Sequence, residues 1–219
     1  MEPADRQAPP PASGPATLRV GVEVQCCVDD AGEYLADAKA LEAAGADSIW
    51  VDRAAGDSGH DPWMLLAAIA AVTDRVRLGL RLVPADAGDR KALAQRLTTL
   101  ERVSRGRITI TVEAGDETDY RAAARLVDGI VHGPAAPAAV QATFRRFLES
   151  SLHERGEGGR ELWARVGMPD TRDAWRATLR ACGDAGATGV LVPFGPRLLD
   201  LLRRPDEEDD RSDLLVAQG

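Results

Sequence analysis

In LRVGVEV (18–24) apolar residues occupy every second position, the period of a β-strand that buries one face. EYLADAKALEAAGA (33–46) changes to helical spacing at Leu35, Ala38, Leu41 and Glu42, and Gly45 stands where a left-handed C-cap is needed. DSIWVD (47–52) predicts a second strand. DPWMLLAAIAAVT (61–73) predicts a helix with Asp61 as N-cap and Pro62 in its first position. VRLGLRLV (76–83) is a third strand, DRKALAQRLTTLERVS (89–104) a third helix, and RITITVEA (107–114) a fourth strand. The strands recur about every thirty residues, the length a right-handed parallel crossover requires.

The second half is less regular. DETDYRAAARLV (116–127) predicts a short helix, DGIVHG (128–133) a short strand, and PAAVQATFRRFLESSLHERG (137–156) a longer helix. ELWARV (161–166) gives a faint strand pattern, followed by a helix over 170–187 and a last strand, TGVLVPFG (188–195). The fold class is α/β with a parallel sheet, and the even spacing favours a (β/α) TIM-type barrel over an open doubly wound sheet. No GxGxxG follows any strand, which counts against a dinucleotide fold. The barrel domain is read as 17–203, short of the roughly 250 residues of an eight-unit barrel, so an incomplete ring of six or seven strands is expected. A Pro/Ala-rich stretch, 1–16, and an acidic one, 204–219, are read as disordered tails.

Composition narrows the function classes. The formal charge of −8 argues against nucleic acid, which needs a basic face. Three cysteines, two of them adjacent, make a poor disulfide framework and favour a reducing, cytoplasmic setting. The N-terminus lacks the basic and apolar regions of a signal peptide, and no apolar run reaches membrane-spanning length. Aromatic residues are only 4% of the chain, so a core of Ala, Val, Leu and Ile is expected. The three histidines have no metal-ligand spacing, and neither a P-loop nor a nucleophile elbow occurs.

Alternation also sorts the strand faces. Val20, Val22 and Val24 leave Arg19, Gly21 and Glu23 on the other side; Leu78, Leu80 and Leu82 leave Arg77, Gly79 and Arg81; Ile108, Ile110 and Val112 leave Thr109, Thr111 and Glu113. Apolar faces meet the helices, so the polar set faces the barrel axis. Glu23, Asp52, Arg81 and Glu113 then stand near the carboxyl ends of their strands, the face where barrel sites occur. Charges placed there must pair, meet water or bind something. An ion-paired plug, Glu23–Arg81–Glu113, is the alternative to a site. In the loop after the second strand, His60 is a candidate proton donor, although it also sits beside the helix cap Asp61. Cys26 and Cys27 read as packing residues, since Asp29 and Asp30 oppose a thiolate.

ALEAAGADSIWVDR, DPWMLLAAIAAVTDRVRLGLRLVP and LAQRLTTLERVSRGRITITVEAG, together about 39–115, resemble the luciferase-like superfamily of flavin- or deazaflavin-dependent oxidoreductases. GMPDTRDAWRATLRACGDAGATGVLVPFGP (167–196) is similar to that family's final helix and strand, and AARLVDGIVHGP (123–134) to a later strand. The resemblance implies a (β/α) barrel, often dimeric, with FMN or the deazaflavin coenzyme at the carboxyl ends of the strands and a small-molecule substrate. Read as a site, the strand ends make Asp52, His60 and Glu113 the catalytic candidates, with Arg81 to hold an anionic flavin edge and Leu82, Gly115 and His132 near the cofactor. Relatives carry a longer segment after the fourth strand than EAGDETDYRAAARLVDG provides. They also often have glycine or small residues near Arg81 and Glu113. The second reading is therefore a barrel that has lost catalysis and serves as a binding or partner subunit.

Overall fold

The computed structural model describes residues 18–52, 59–82, 90–113, 129–132 and 161–203; for Asp52, Arg90, Val112, Glu113 and 129–132 the backbone alone is described. Both tails, the expected helices at 116–127 and 137–156, and Gly115 lie outside these residues. The strands are β1 (Arg19–Gln25), β2 (Ser48–Asp52), β3 (Arg77–Leu82), β4 (Ile108–Glu113), β5 (Gly129–His132), β6 (Glu161–Arg165) and β7 (Gly189–Pro193). The helices are α1 (Ala31–Ala44), α2 (Pro62–Val72), α3 (Arg90–Ser104), α4 (Arg172–Asp184) and α5 (Pro196–Arg203). No helix among the described residues is long and apolar enough to cross a membrane.

The seven strands are all parallel and form a closed barrel in chain order, with β7 bonded back to β1. Closure on seven leaves the ring one unit short of the usual eight. The faint pattern at 161–166 is a full member of the ring, paired with β5 and β7. The two-turn helix α5 has no counterpart in the sequence reading; Leu198 and Leu201 bury its inner face, and it packs on α1.

Local chemistry fixes the element ends. Asp30 Oδ1 accepts from the Glu33 amide at 2.9 Å, and Gly45 ends α1 with φ 92°, a conformation glycine adopts without Cβ strain. Asp61 Oδ1 accepts from the Trp63 amide at 2.8 Å with Pro62 following it, so Asp61 is a helix cap. The main core lies between sheet and helices, where Leu41, Ile49, Leu66, Ile69, Leu78 and Leu162 are fully buried.

Two polar clasps close the amino-terminal end of the barrel. Glu42, near the end of α1, accepts from the amides of Asp74, Arg75 and Val76 at 2.9, 2.6 and 2.9 Å. Burial pushes its pKa up, but these three amides and the charge of Arg75 outweigh that and hold it below the usual carboxylate range. Arg107, just before β4, donates to the carbonyls of Ala70, Thr73, Val76 and Ser104 and to the Thr73 hydroxyl, all within 2.7–3.0 Å. One side chain thus satisfies the exposed carbonyl end of α2 and ties two turns together.

Candidate functional site

The inward row of each strand builds the barrel interior in layers. At the amino-terminal end, Glu161 of β6 receives Arg19 of β1 and Arg77 of β3 on Oε1, the latter at 2.7 Å, while its Oε2 accepts the Trp163 indole N–H at 3.0 Å. Burial would raise the Glu161 pKa; the hydrogen bond and charge of Arg77, then Trp163 and Arg19, override it and hold the group low.

The middle layer is aromatic. Trp50 and Trp163 meet edge-on, with centroids 5.2 Å apart at 63°, and Leu191 joins them in a cluster separate from the outer core. Three glycines make room. A Cβ at Gly79 would lie 2.0 Å from the Trp50 ring, one at Gly189 2.4 Å from the Trp163 ring, and one at Gly21 2.6 Å from Leu191. Thr109 and Thr111 on the inward row of β4 are fully buried, and their hydroxyls have no hydrogen-bond partner. Trp50, Trp163 and Leu191 thus occupy the middle of the interior, packed against the three glycines.

The carboxyl-end rim carries the charges. Glu23 of β1 is clamped by Arg165 of β6, whose Nε lies 3.0 Å from both carboxylate oxygens and whose Nη2 lies 2.7 Å from Oε1. This is a forked pair, the strong geometry for arginine and carboxylate. The expected plug is therefore corrected: the partner of Glu23 is Arg165 rather than Arg81. β1 and β6 both flank β7 in the ring, so the pair bridges over that one strand. Arg81 is half-buried on the inward row of β3.

The remaining sequence candidates divide. Asp52 and Glu113 end β2 and β4 at the same face, with backbone partners Gln25 and Val131. Leu82 is buried in the core between sheet and helices, so its side chain points away from the rim. His132 stands level with Ala164 in the β5–β6 register. The His60 amide donates to the Cys26 carbonyl at 2.9 Å, and Nδ1 lies 3.2 Å from that carbonyl and 3.4 Å from the Val28 amide. Either tautomer engages one of the two, and the ring staples the β1–α1 connection to the entry of α2. Cys26 is buried as expected of a packing residue, whereas Cys27 is exposed.

Sequence reasoning missed Arg165, Glu161 and the indoles. The signal was present: Glu161, Trp163 and Arg165 alternate with Leu162 and Ala164, the same polar-in pattern as the earlier strands.

These layers decide where a flavin or deazaflavin fits. Trp50 and Trp163 occupy the middle of the barrel, below the charged groups of the rim. A ring laid across the rim meets two guanidinium groups, Arg81 and Arg165, suited to its anionic edge, and the Glu23 carboxylate, suited to an N–H.

Comparison with known proteins agrees with this architecture. The family model described as luciferase-like monooxygenase matches residues 6–119, over half of the chain. The chain belongs to that family. An uncharacterised protein of Mycobacterium tuberculosis and its counterpart in Mycobacterium bovis are 32% identical over 136 residues. The match takes in 62% of this chain and 36% of theirs, so the chain spans just over a third of the length of these relatives. Among solved structures, an F420-dependent secondary alcohol dehydrogenase superposes with a TM-score of 0.68 at 13% identity, covering 85% of this chain and 96% of its own. The F420-dependent tetrahydromethanopterin reductase of Methanopyrus kandleri gives 0.65 at 12%, covering 88% and 99%. At such identities these two establish the shared barrel fold.

Proposed function

We propose that the chain is an oxidoreductase of the flavin- or deazaflavin-dependent kind, holding its cofactor ring across the barrel rim. The observation that carries the reading is the rim itself: Arg81 and the Glu23–Arg165 pair sit at the carboxyl ends of the strands, above the buried Trp50 and Trp163. Family membership and the F420-dependent enzymes among its structural neighbours support the same kind of chemistry. When bound, such a ring supplies or accepts a hydride. Arg81 would face its electron-rich edge and hold it by charge; the Glu23–Arg165 fork would fix the plane on which it rests. Asp52 and Glu113, at the same strand ends, are the groups to move a proton to or from the substrate.

The test is titration of the folded protein with FMN and with the deazaflavin coenzyme, read by cofactor fluorescence and calorimetry. Binding in the micromolar range, weakened about tenfold by Arg81→Gln as expected for loss of a charge-assisted contact, supports the reading. Absence of binding at millimolar concentration overturns it. One observation favours a second reading in that event: the Glu23–Arg165 fork at the rim pairs its own charges. The barrel would then act as a binding or partner subunit.

A further inference from the structure

Beside the rim, α1 and the ends of β1 and β7 enclose a crevice of about 290 Å³, at the small end of the roughly 300–1,000 Å³ usual for ligand pockets. Glu23, Gln25, Cys27, Tyr34, Asp37 and Phe194 line it. Tyr34 and Asp37 lie one turn apart on α1, and both reach the crevice. The Tyr34 hydroxyl is buried and has no hydrogen-bond partner. Burial, with a smaller contribution from Cys26, pushes its pKa well above the ordinary phenol range, so it stays protonated. No hydrogen bond or ion pair occupies the Asp37 carboxylate among the described residues.

A buried hydroxyl left unsatisfied costs free energy that a ligand atom would recover. The walls also specify charge. Among the described residues the lining has two carboxylates and no cationic side chain. Glu23 is neutralised by Arg165, which leaves Asp37 as the uncompensated charge. The Tyr34 and Phe194 rings add faces that attract a cation. We propose that this crevice is a binding site for a small primary alkylammonium group, with Asp37 pairing its charge and the Tyr34 hydroxyl accepting one of its N–H bonds. An ammonium carries three donors; an alcohol of equal size brings one donor and no charge, and a carboxylate meets repulsion. The inference does not rest on the flavin reading, because the crevice is complete without a cofactor.

Calorimetric titration of the full chain with n-butylammonium, n-butanol and n-butyrate, without flavin, tests it. The expected order is n-butylammonium ahead of n-butanol by about tenfold, with n-butyrate not binding. Asp37→Asn should remove the preference for the cation and leave n-butanol unchanged. Tyr34→Phe should weaken n-butylammonium several-fold without lowering the unfolding midpoint, since the hydroxyl it removes is buried and unpaired. Asp184→Asn, an exposed acid on α4, controls for the net negative charge and should change nothing. The proposal is overturned if n-butyrate binds as well as n-butylammonium, if Asp37→Asn has no more effect than Asp184→Asn, or if the protein, folded by circular dichroism, binds no amine at high millimolar concentration.

Discussion

Glu161 holds together three strands that are not neighbours in sequence, and its two oxygens are shared among Arg19, Arg77 and the Trp163 indole. Its folded pKa lies below its ordinary value. A depressed carboxylate contributes stability that is fully present above the unfolded pKa of about 4.3 and lost as pH falls through the folded value. Both arginines are partly exposed, so solvent screening discounts the pair. Glu161→Gln is expected to cost about 2 kcal/mol at pH 7, below the 3–5 of a fully buried pair. Urea denaturation across pH should show the variant and the parent converging below about pH 4. A gap that persisted at acid pH would assign the loss to packing instead of charge.

At the scale of elements, the glycines of β1, β3 and β7 are complements to side chains on other strands. Gly79→Ala puts a methyl group into the Trp50 ring and is expected to destabilise the fold by about 3 kcal/mol, the upper range for overpacking. Combined with Trp50→Leu, the same change should cost much less, and a double-mutant cycle by thermal unfolding measures that coupling. Arg107→Ala strips the carbonyl end of α2 and both flanking turns of their shared donor. The expected loss is about 3 kcal/mol, with Arg107→Lys recovering little because an ammonium cannot fork to five acceptors.

Hydrogen exchange should locate the Arg107→Ala effect at 70–78. The strand faces were legible because alternation is local: Val22 and Val24 out, Glu23 in. The Trp50–Gly79 match was not. A period count scores each strand alone, and an inward glycine reads as polar or neutral when it is space vacated for a neighbour's indole. The pairing of Glu23 with Arg165 was hidden for a related reason: 142 residues separate the two, and only ring closure brings them face to face.

For the whole molecule, position along the barrel axis separates two kinds of residue. The amino-terminal end holds the Glu42 and Arg107 clasps and the Arg19–Glu161–Arg77 layer; the carboxyl end holds Arg81, the Glu23–Arg165 fork and the Tyr34–Asp37 crevice. Between them the indoles form a dry partition. Glu42, Asp74 and Arg107 lie in the very segments, ALEAAGA, TDRVRLG and SRGR, by which the chain is recognisable as luciferase-like. The same segments run on into DSIWVD, LGLRL and ITITVE, whose last residues reach the opposite end of the barrel, so the family resemblance threads both poles.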